Sequence, residues 1–343
     1  MLGKRHLAAS AARYFLINSG NANAGVGEAG LADALACCQA VANQAGVDTE
    51  SVLPFSTGVI GERLPVDKIV AAVPSAFDGL STANWPLAAR GIMTTDTRPK
   101  IASRQVTIDG AVVTLTGIAK GAGMIQPNMA TLLAYVATDA SCERVALDAV
   151  LRDAVEHSFN RITVDSDTST NDSCMVTATG KARVDVSQGQ AREQFGNVLR
   201  ELCLELAQGI VRDAEGATKF VEVHIRGGRD TSQSLAVAYS IANSPLMKTA
   251  LFASDANWGR IVMAIGKAPT DIDVDKLDVW LGNVQLMAGG QKHHDYTEAA
   301  GTDVMAREEI VITVDLNDGA VAESVWTSDL SYEYVSINAE YRT

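Results

Sequence analysis

Apolar residues recur at two different spacings along the chain, and the two spacings alternate from segment to segment. Apolar stripes at helical spacing predict helices in three stretches, whereas runs rich in β-branched residues predict strands in three others. The helical stretches are GLADALACCQAVANQAG, ERVALDAVLRDAVEHSF and AREQFGNVLRELCLELAQGIV, and the strand stretches are VTIDGAVVTLTG, KFVEVHIRG and EEIVITVDLNDGAVAESVW. The pattern therefore predicts a chain in which helices and strands are mixed.

Two turn signals indicate antiparallel pairing. Asp109 and Gly110 separate two alternating runs, which is the signal of a two-residue hairpin, and the stretch VDLNDGAVAE near the end predicts a second hairpin in the same way. Hairpins favour an α+β or layered α/β fold over a doubly wound parallel sheet. No repeat or low-complexity linker marks a domain boundary, so one large fold and two closely packed lobes both stay open.

Composition narrows the possible surroundings and partners. The 343 residues are 47% hydrophobic and 20% charged, enough to build a core without disulfides or metals. No apolar run reaches the roughly 18 residues of a membrane span and no signal peptide is evident, so we expect a cytoplasmic protein without a membrane partner. The five cysteines form no C-x-x-C pair, and the net charge of −13 argues against nucleic acid as a partner.

Three local motifs suggest chemistry that their context does not favour. GVGEAG (25–30) matches a dinucleotide fingerprint, but the preceding strand candidate YFLIN ends too early for the first glycine to form the turn. DSDTSTND (165–172) resembles a calcium loop without its glycine or its final glutamate. KHHD (292–295) offers two adjacent imidazoles and a carboxylate, which are more typical of a solvated loop than of a metal site. An unprocessed dinucleotide-binding protein is the alternative from a different function class.

A threonine in the stretch KGAGMIQPNMATLLAYVATDA (120–140) has two interpretations. Thr131 is typical of the start of a strand, because β-branched residues favour strands. The chain has no G-x-S-x-G elbow and no histidine in a triad-like context. An acyl-transfer enzyme without a histidine base can use a chain-initial threonine, whose own α-amine serves as the base. Cleavage of the Ala130–Thr131 peptide would create such a residue.

The stretch KGAGMIQPNMAT resembles the self-processing motif of the ornithine acetyltransferase (glutamate N-acetyltransferase) family. Seven further blocks resemble the family in the same order and span nearly the whole chain. They are NSGNANA (18–24), STGVIGERLP (56–65), IMTTDTRPK (92–100), SFNRITVDSDTSTNDS (158–173), EGATKF (215–220), SDANWGR (254–260) and INAEYRT (337–343). Only a short lead precedes NSGNANA, which compared with the family corresponds to a shortened N-terminus.

The resemblance implies a self-cleaving acetyltransferase of arginine biosynthesis with a layered α-β-β-α fold. It implies an α-chain of residues 1–130 and a β-chain of residues 131–343, which form one closely packed unit and an α2β2 assembly. Thr131 would take the acetyl group from N-acetylornithine and pass it to glutamate. The resemblance implies no cofactor and no metal, and it leaves open whether acetyl-CoA is also a donor. The nearest enzymatic alternative is an amidohydrolase or aminopeptidase with the same nucleophile.

The resemblance also implies the site residues. Thr57 and Gly58 match the pair that stabilises the oxyanion. The substrate contacts match Thr94, Lys120, Thr131, Glu215, Asn338 and Thr343.

Overall fold

The computed structural model describes residues 1–126 and 132–340, and within these ranges helices and strands alternate along the chain. The helices are α1 Leu2–Ala9, α2 Gly27–Ala45, α3 Val66–Asp78, α4 Trp85–Gly91, α5 Arg144–Glu156, α6 Gly189–Arg212, α7 Thr231–Ala242, α8 Pro245–Phe252, α9 Trp258–Gly266, α10 Glu298–Met305 and α11 Tyr332–Glu340. The strands are β1 Tyr14–Asn18, β2 Val52–Ser56, β3 Lys100–Ile108, β4 Ala111–Lys120, β5 Leu133–Thr138, β6 Ile162–Thr163, β7 Ser173–Ala178, β8 Phe220–Gly228, β9 Asp278–Leu281, β10 Val284–Ala288, β11 Gln291–Lys292, β12 Glu309–Asp315 and β13 Val321–Ser328.

The larger sheet contains seven strands in the order β11-β10-β9-β12-β8-β13-β6. The interior strand β8 alternates between buried and more exposed residues, and Val221, Val223 and Ile225 are fully buried. These side chains pack with the apolar faces of α7 and α9 in one hydrophobic cluster. The sheet pairs β12 parallel and β13 antiparallel with β8, so it is mixed as expected.

The smaller sheet contains four strands in the order β3-β4-β5-β7, and α5 and α6 pack against one of its faces. The hairpin prediction at Asp109 and Gly110 is confirmed, since both residues have positive φ (50° and 79°) and join the antiparallel pair β3 and β4. Gly117 in β4 allows α6 to approach closely, because a Cβ there would lie 2.8 Å from Leu202 Cδ2.

The second hairpin prediction is wrong. The strands β12 and β13, on either side of the stretch LNDGA, do not pair with each other, because β8 lies between them and pairs with both. β8 is supplied by a segment that lies about 90 residues earlier in the sequence. The turn residues therefore indicate that the chain reverses its direction, but they do not determine which strand lies next to β12 and β13 in the sheet.

The N-terminal part of the chain forms a two-stranded parallel sheet of β1 and β2, flanked by α1, α2 and α3. Aromatic rings connect this unit to the four-stranded sheet: Phe55 lies 5.4 Å from Phe15 and 5.1 Å from Tyr135, both with edge-on geometry. Because offset and edge-on ring pairs stabilise contacts beyond their buried area, this cluster fixes β2 relative to β5. The residue after β2, Thr57, thereby lies within reach of Lys120 at the end of β4.

The class that the sequence analysis expects, a mixed α/β chain in packed layers, is confirmed. All five cysteines are free thiols in the described part of the chain. None of the helices in the described ranges combines the length and the apolar composition that a bilayer crossing needs.

Candidate active site

A cavity of about 230 Å³ lies where the ends of β2 and β4 meet the loop after α6 and the C-terminal helix α11. Residues that are far apart in the sequence converge on it. The predicted site residues among its lining are Thr57, Gly58, Thr94, Lys120, Glu215 and Asn338. Ala130, Thr131 and Thr343 lie outside the described residues, while Leu132, which follows Thr131, lines the same cavity.

Thr57 and Gly58 form a turn immediately after β2, and the shape of this turn requires glycine. Gly58 has a φ of 126°, and a Cβ at this position would overlap the backbone of Gly20 and Asn21. The Gly58 N–H has no acceptor among the described residues. A free N–H next to a threonine hydroxyl at the edge of a cavity can stabilise a developing oxyanion.

The NSGNANA loop supports this turn from behind. The backbone N–H of Thr57 donates to the carbonyl of Asn18 at 3.1 Å, and the N–H of Ala22 donates to the carbonyl of Val59 at 2.9 Å. The side chain of Asn171 donates to the carbonyl of Ala22 and ties the loop to the opposite wall. NSGNANA had no predicted role beyond its family resemblance, and its hydrogen bonds hold the turn at Thr57 and Gly58 in place.

Lys120 is the last residue of β4, and its half-buried side chain reaches across to the turn. Its Nζ lies 3.3 Å from Thr57 Oγ1. Burial lowers the pKa of Lys120, the carboxylates of Asp96, Asp172 and Glu215 oppose this shift, and the charge of Lys100 adds to it. A lysine in this position can donate hydrogen bonds both to the Thr57 hydroxyl and to an anionic group in the cavity.

A buried charge network, which we define as Asp96, Lys100 and Asp213, lies beneath the cavity. Lys100 Nζ donates to Asp96 Oδ1 at 2.5 Å, to the carboxylate of Asp213, and to the carbonyl of Gly121 at 3.1 Å. The Lys100 side chain is 3% exposed and that of Asp96 is 0% exposed. Burying charged groups costs free energy, so one buried cation and two buried carboxylates are stable only if they pair with one another and their hydrogen bonds are satisfied.

The Asp96 carboxylate connects this network to two residues of the cavity. It accepts hydrogen bonds from the backbone N–H of Thr94 at 3.0 Å and of Gly121 at 2.8 Å. Burial alone would raise the pKa of Asp96, but the charges of Lys100 and Lys120 and the Gly121 N–H outweigh it and hold the pKa below its usual value. The network therefore sets the positions of Thr94 and of the chain that follows Lys120. Sequence reasoning missed it, although Asp96 and Lys100 lie in the block IMTTDTRPK.

Asp165 holds the loop that leads to residue 127. Its carboxylate accepts from the N–H of Met124 at 2.7 Å and of Ile125 at 2.8 Å, and from the hydroxyl of Tyr334 in α11 at 3.1 Å. Met124 has a φ of 56°, a conformation that costs a non-glycine residue energy and is maintained by such contacts. Burial, with the Asp165 carboxylate as a second cause, raises the pKa of Tyr334, so its hydroxyl stays a donor.

Glu215 supplies a negative charge at the cavity wall and is only 9% exposed. Its backbone N–H donates to the carbonyl of Ala122 at 2.9 Å, and its Oε2 accepts from Asn338 Nδ2 at 2.6 Å. The carboxylate packs directly on Gly123, where a Cβ would collide with it. A buried carboxylate with one side-chain donor can accept a further cationic partner from a ligand.

The three motifs with competing interpretations lie in other contexts. GVGEAG leads into α2, but β1 before it belongs to a two-stranded sheet and ends at Asn18, so the strand-turn-helix geometry of a dinucleotide site is not formed. The Asp165 of DSDTSTND is occupied by backbone N–H groups instead of facing a calcium ion. One potential ligand atom from each of His293, His294 and Asp295 lies within 4.8 Å of the other two, but none of these residues lines the cavity.

Comparisons with known proteins give the same family over the whole chain. The model of the ArgJ family matches residues 1–343. The chain is 55% identical over 335 residues to the arginine biosynthesis bifunctional protein ArgJ of Pseudomonas syringae pv. tomato, covering 96% of this chain and 83% of that protein. It is 52% identical over 345 residues to the protein of the same name from Methylococcus capsulatus, covering 100% of this chain and 84% of that protein.

A solved structure of a protein with the same name agrees with this similarity. The crystal structure of arginine biosynthesis bifunctional protein ArgJ from Bacillus halodurans aligns with a TM-score of 0.59 at 36% identity. The alignment covers 62% of this chain and all of that one. Sequence and fold therefore lead to the same family.

Proposed function

This chain belongs to the ArgJ family, and from that premise we propose that it moves the acetyl group of N²-acetyl-L-ornithine to L-glutamate through an acetyl ester of Thr131. Its place among the acetyl-transferring enzymes of arginine biosynthesis follows from identities of 52–55% over nearly the full chain. The observation that supports the detailed proposal best is the cavity, which combines two oxyanion donors, a lysine and a buried carboxylate next to Leu132.

The proposed transfer proceeds in two halves. The Thr131 hydroxyl attacks the acetyl carbonyl, its proton passes to the α-amine of Thr131, and the carbonyl oxygen becomes an oxyanion that the Thr57 hydroxyl and the Gly58 N–H stabilise. The intermediate collapses, the C–N bond breaks, and ornithine leaves with the proton from the α-amine. The amine of glutamate then attacks the ester and gives up a proton to the α-amine of Thr131. The C–O bond breaks, that proton returns to the Thr131 oxygen, and N-acetylglutamate leaves.

We propose that the α-amine is freed by self-cleavage between Ala130 and Thr131. In that step the Thr131 hydroxyl attacks the Ala130 carbonyl, the bond from that carbon to the Thr131 nitrogen breaks, and the hydroxyl proton passes to this nitrogen, which leaves an ester. Water then hydrolyses the ester to give chains 1–130 and 131–343. The fold supports continued association of the two chains, because β4 and β5 pair antiparallel across the cleavage position, from Lys120 opposite Leu133 to Leu115 opposite Thr138. Breaking one peptide bond between paired strands leaves their ladder intact.

The charges of the cavity suit the two substrates. Glu215 is placed to attract the side-chain ammonium of ornithine, and Lys120 to attract a carboxylate, while Thr94 and Asn338 add polar contacts. Thr343 completes the substrate-contact residues in the proposal.

We also propose that the two chains form an α2β2 assembly and that the enzyme works in the cytoplasm. The five free thiols support a reducing compartment. Acetyl-CoA as a second acetyl donor is tested in the assay below.

An assay of ornithine release tests the proposed reaction. The purified protein is given N-acetylornithine with and without glutamate, and in a parallel reaction acetyl-CoA with glutamate. We expect ornithine release that requires glutamate, with formation of an equal amount of N-acetylglutamate. Release at the same rate without glutamate would instead make the protein an amidohydrolase in which water replaces the acceptor. Product from acetyl-CoA would add the second donor.

The Thr57 hydroxyl is expected to contribute strongly to turnover. Thr57→Ala removes one of the two oxyanion donors, so kcat for acetyl transfer should fall by about 10²–10³ while the fold is preserved. The measurement is kcat with saturating substrates together with the far-UV circular dichroism spectrum. Thr107→Ala on the exposed face of β3 is the matched control and should keep full activity. An unchanged kcat for Thr57→Ala would remove Thr57 from the oxyanion site.

A further inference from the structure

In the hydrogen bond between Lys120 and Thr57, the lysine ammonium is the donor. An ammonium group has three donors and no acceptor, so at the Nζ–Oγ1 distance of 3.3 Å the oxygen of Thr57 must accept. The single hydrogen of the Thr57 hydroxyl is then free to point elsewhere. It has no acceptor among the described residues, and Thr57 lines the cavity.

No carboxylate among the described residues is paired directly with the Lys120 ammonium, so it can donate to Thr57. Within the described ranges Lys120 forms no ion pair, in contrast to Lys100, which is held by Asp96 and Asp213. Burial lowers the pKa of Lys120, and the negative charges of Asp96, Asp172 and Glu215 oppose this shift. The hydroxyl of Thr57 is therefore the one described partner to which Lys120 donates directly.

We propose that Lys120 is a positioning residue that orients and polarises the Thr57 hydroxyl toward the oxyanion, beyond any contact with a substrate carboxylate. The inference rests on the proposed function, because it assumes that Thr57 stabilises an oxyanion formed by attack of Thr131. A hydroxyl whose oxygen accepts from an ammonium is a stronger donor, since hydrogen bonds in series polarise one another. Lys120 would thus act in every reaction that uses Thr57.

Self-cleavage and acetyl transfer separate the two roles of Lys120. Both reactions form an oxyanion, but only transfer involves a free amino acid with an α-carboxylate. A lysine that only binds substrate would affect the KM for N-acetylornithine and leave the cleavage rate unchanged. A lysine that acts through Thr57 would slow cleavage as well and would lower kcat in transfer.

The experiment is a double-mutant cycle on the cleavage rate. Full-length precursors of the wild type, Lys120→Met, Thr57→Val and the double variant are made by cell-free synthesis, and loss of the precursor is followed by denaturing intact-mass measurement. We expect Lys120→Met to slow cleavage by about 10- to 100-fold, as for loss of a hydrogen bond to a charged group. In the Thr57→Val background, Lys120→Met should slow cleavage by a further factor of less than about three, because the effects of coupled residues are not additive.

Two further variants keep the test decisive. Lys120→Arg retains a charged donor and should restore part of the cleavage rate, which a purely structural loss would not predict. Lys267→Met, at the exposed residue that follows α9, is the matched control. Cleavage of Lys120→Met at the wild-type rate with a raised KM, or additive effects in the cycle, would overturn the proposal. If the wild-type precursor itself stays intact and transfers no acetyl group, the proposed function fails, and the inference fails with it.

Discussion

Replacement of Thr131 by alanine is expected to leave one intact polypeptide of 343 residues and to abolish acetyl transfer. The variant lacks the hydroxyl that would attack the Ala130 carbonyl, so no chain starting at residue 131 is produced and no α-amine is freed. It also lacks the proposed nucleophile of the transfer reaction. Removal of a covalent nucleophile generally costs at least about 10⁴-fold in turnover.

Denaturing intact-mass measurement with N-terminal sequencing of any fragment checks this expectation. The wild type should give two fragments, the second beginning Thr131-Leu132-Leu133, and Thr131→Ala should give one species. Thr131→Ser is the matched control, because it keeps both the hydroxyl and, after cleavage, an α-amine on the same residue. Two fragments from Thr131→Ala, or transfer by that variant, would assign the nucleophile to another residue.

The local parts of the fold could be predicted from the sequence because they depend on neighbouring residues. The helical spacing in GLADALACCQAVANQAG corresponds to α2, and the Asp109–Gly110 turn determines the β3–β4 hairpin by its positive φ angles alone. The stretch LNDGA carries a similar signal but joins two strands that are separated by β8. Strand order depends on which distant segment fills the sheet, and turn chemistry contains no information on that.

In the candidate site, too, some residues could be predicted from the sequence and others could not. The family resemblance pointed to six residues that line the cavity, Thr57, Gly58, Thr94, Lys120, Glu215 and Asn338, because they lie in recognisable blocks. The residues that hold them in place were missed, since their roles arise from contacts across the chain: Lys100 bonds Asp213, 113 positions away, and Asp165 accepts from Tyr334, 169 positions away. A single aspartate or lysine in a sequence does not indicate such a partner.

Replacement of Lys100 by methionine is expected to destabilise the protein by about 3–5 kcal/mol at pH 8, because it leaves the buried carboxylates of Asp96 and Asp213 without their shared cation. For a chain of this length that corresponds to a fall of about 4–7 °C in the melting temperature. The measurement is thermal unfolding in the Thr131→Ala background, so that one covalent chain unfolds in every sample.

Lys248→Met is the matched control, since Lys248 is 4% exposed and Lys100 is 5% exposed. Lys248 Nζ donates to neutral oxygens, the hydroxyl of Thr327 at 2.8 Å and the carbonyl of Ser328. Burial lowers its pKa to about 7, against the opposing charges of Asp329 and Asp165, so at pH 8 most of it is already neutral in the folded protein. Its loss leaves no carboxylate without its cation and should cost less than about 2 kcal/mol.

The pH dependence distinguishes lost charge pairing from lost packing in Lys100→Met. In the wild type the pKa of Asp96 is held below its usual value, so the stability that its charge contributes is present throughout pH 5–8 and is lost only at more acidic pH. In the variant, burial raises the Asp96 pKa, and the charge of Lys120 and the N–H groups of Thr94 and Gly121 are left to oppose it. We expect the folded state then to take up a proton before the unfolded state does. The gap in melting temperature between wild type and variant should therefore narrow as the pH falls from 8 to 5. A gap that stays constant over this range would mean that Lys100 stabilises the fold by packing alone, and the network beneath the cavity would then have no electrostatic role.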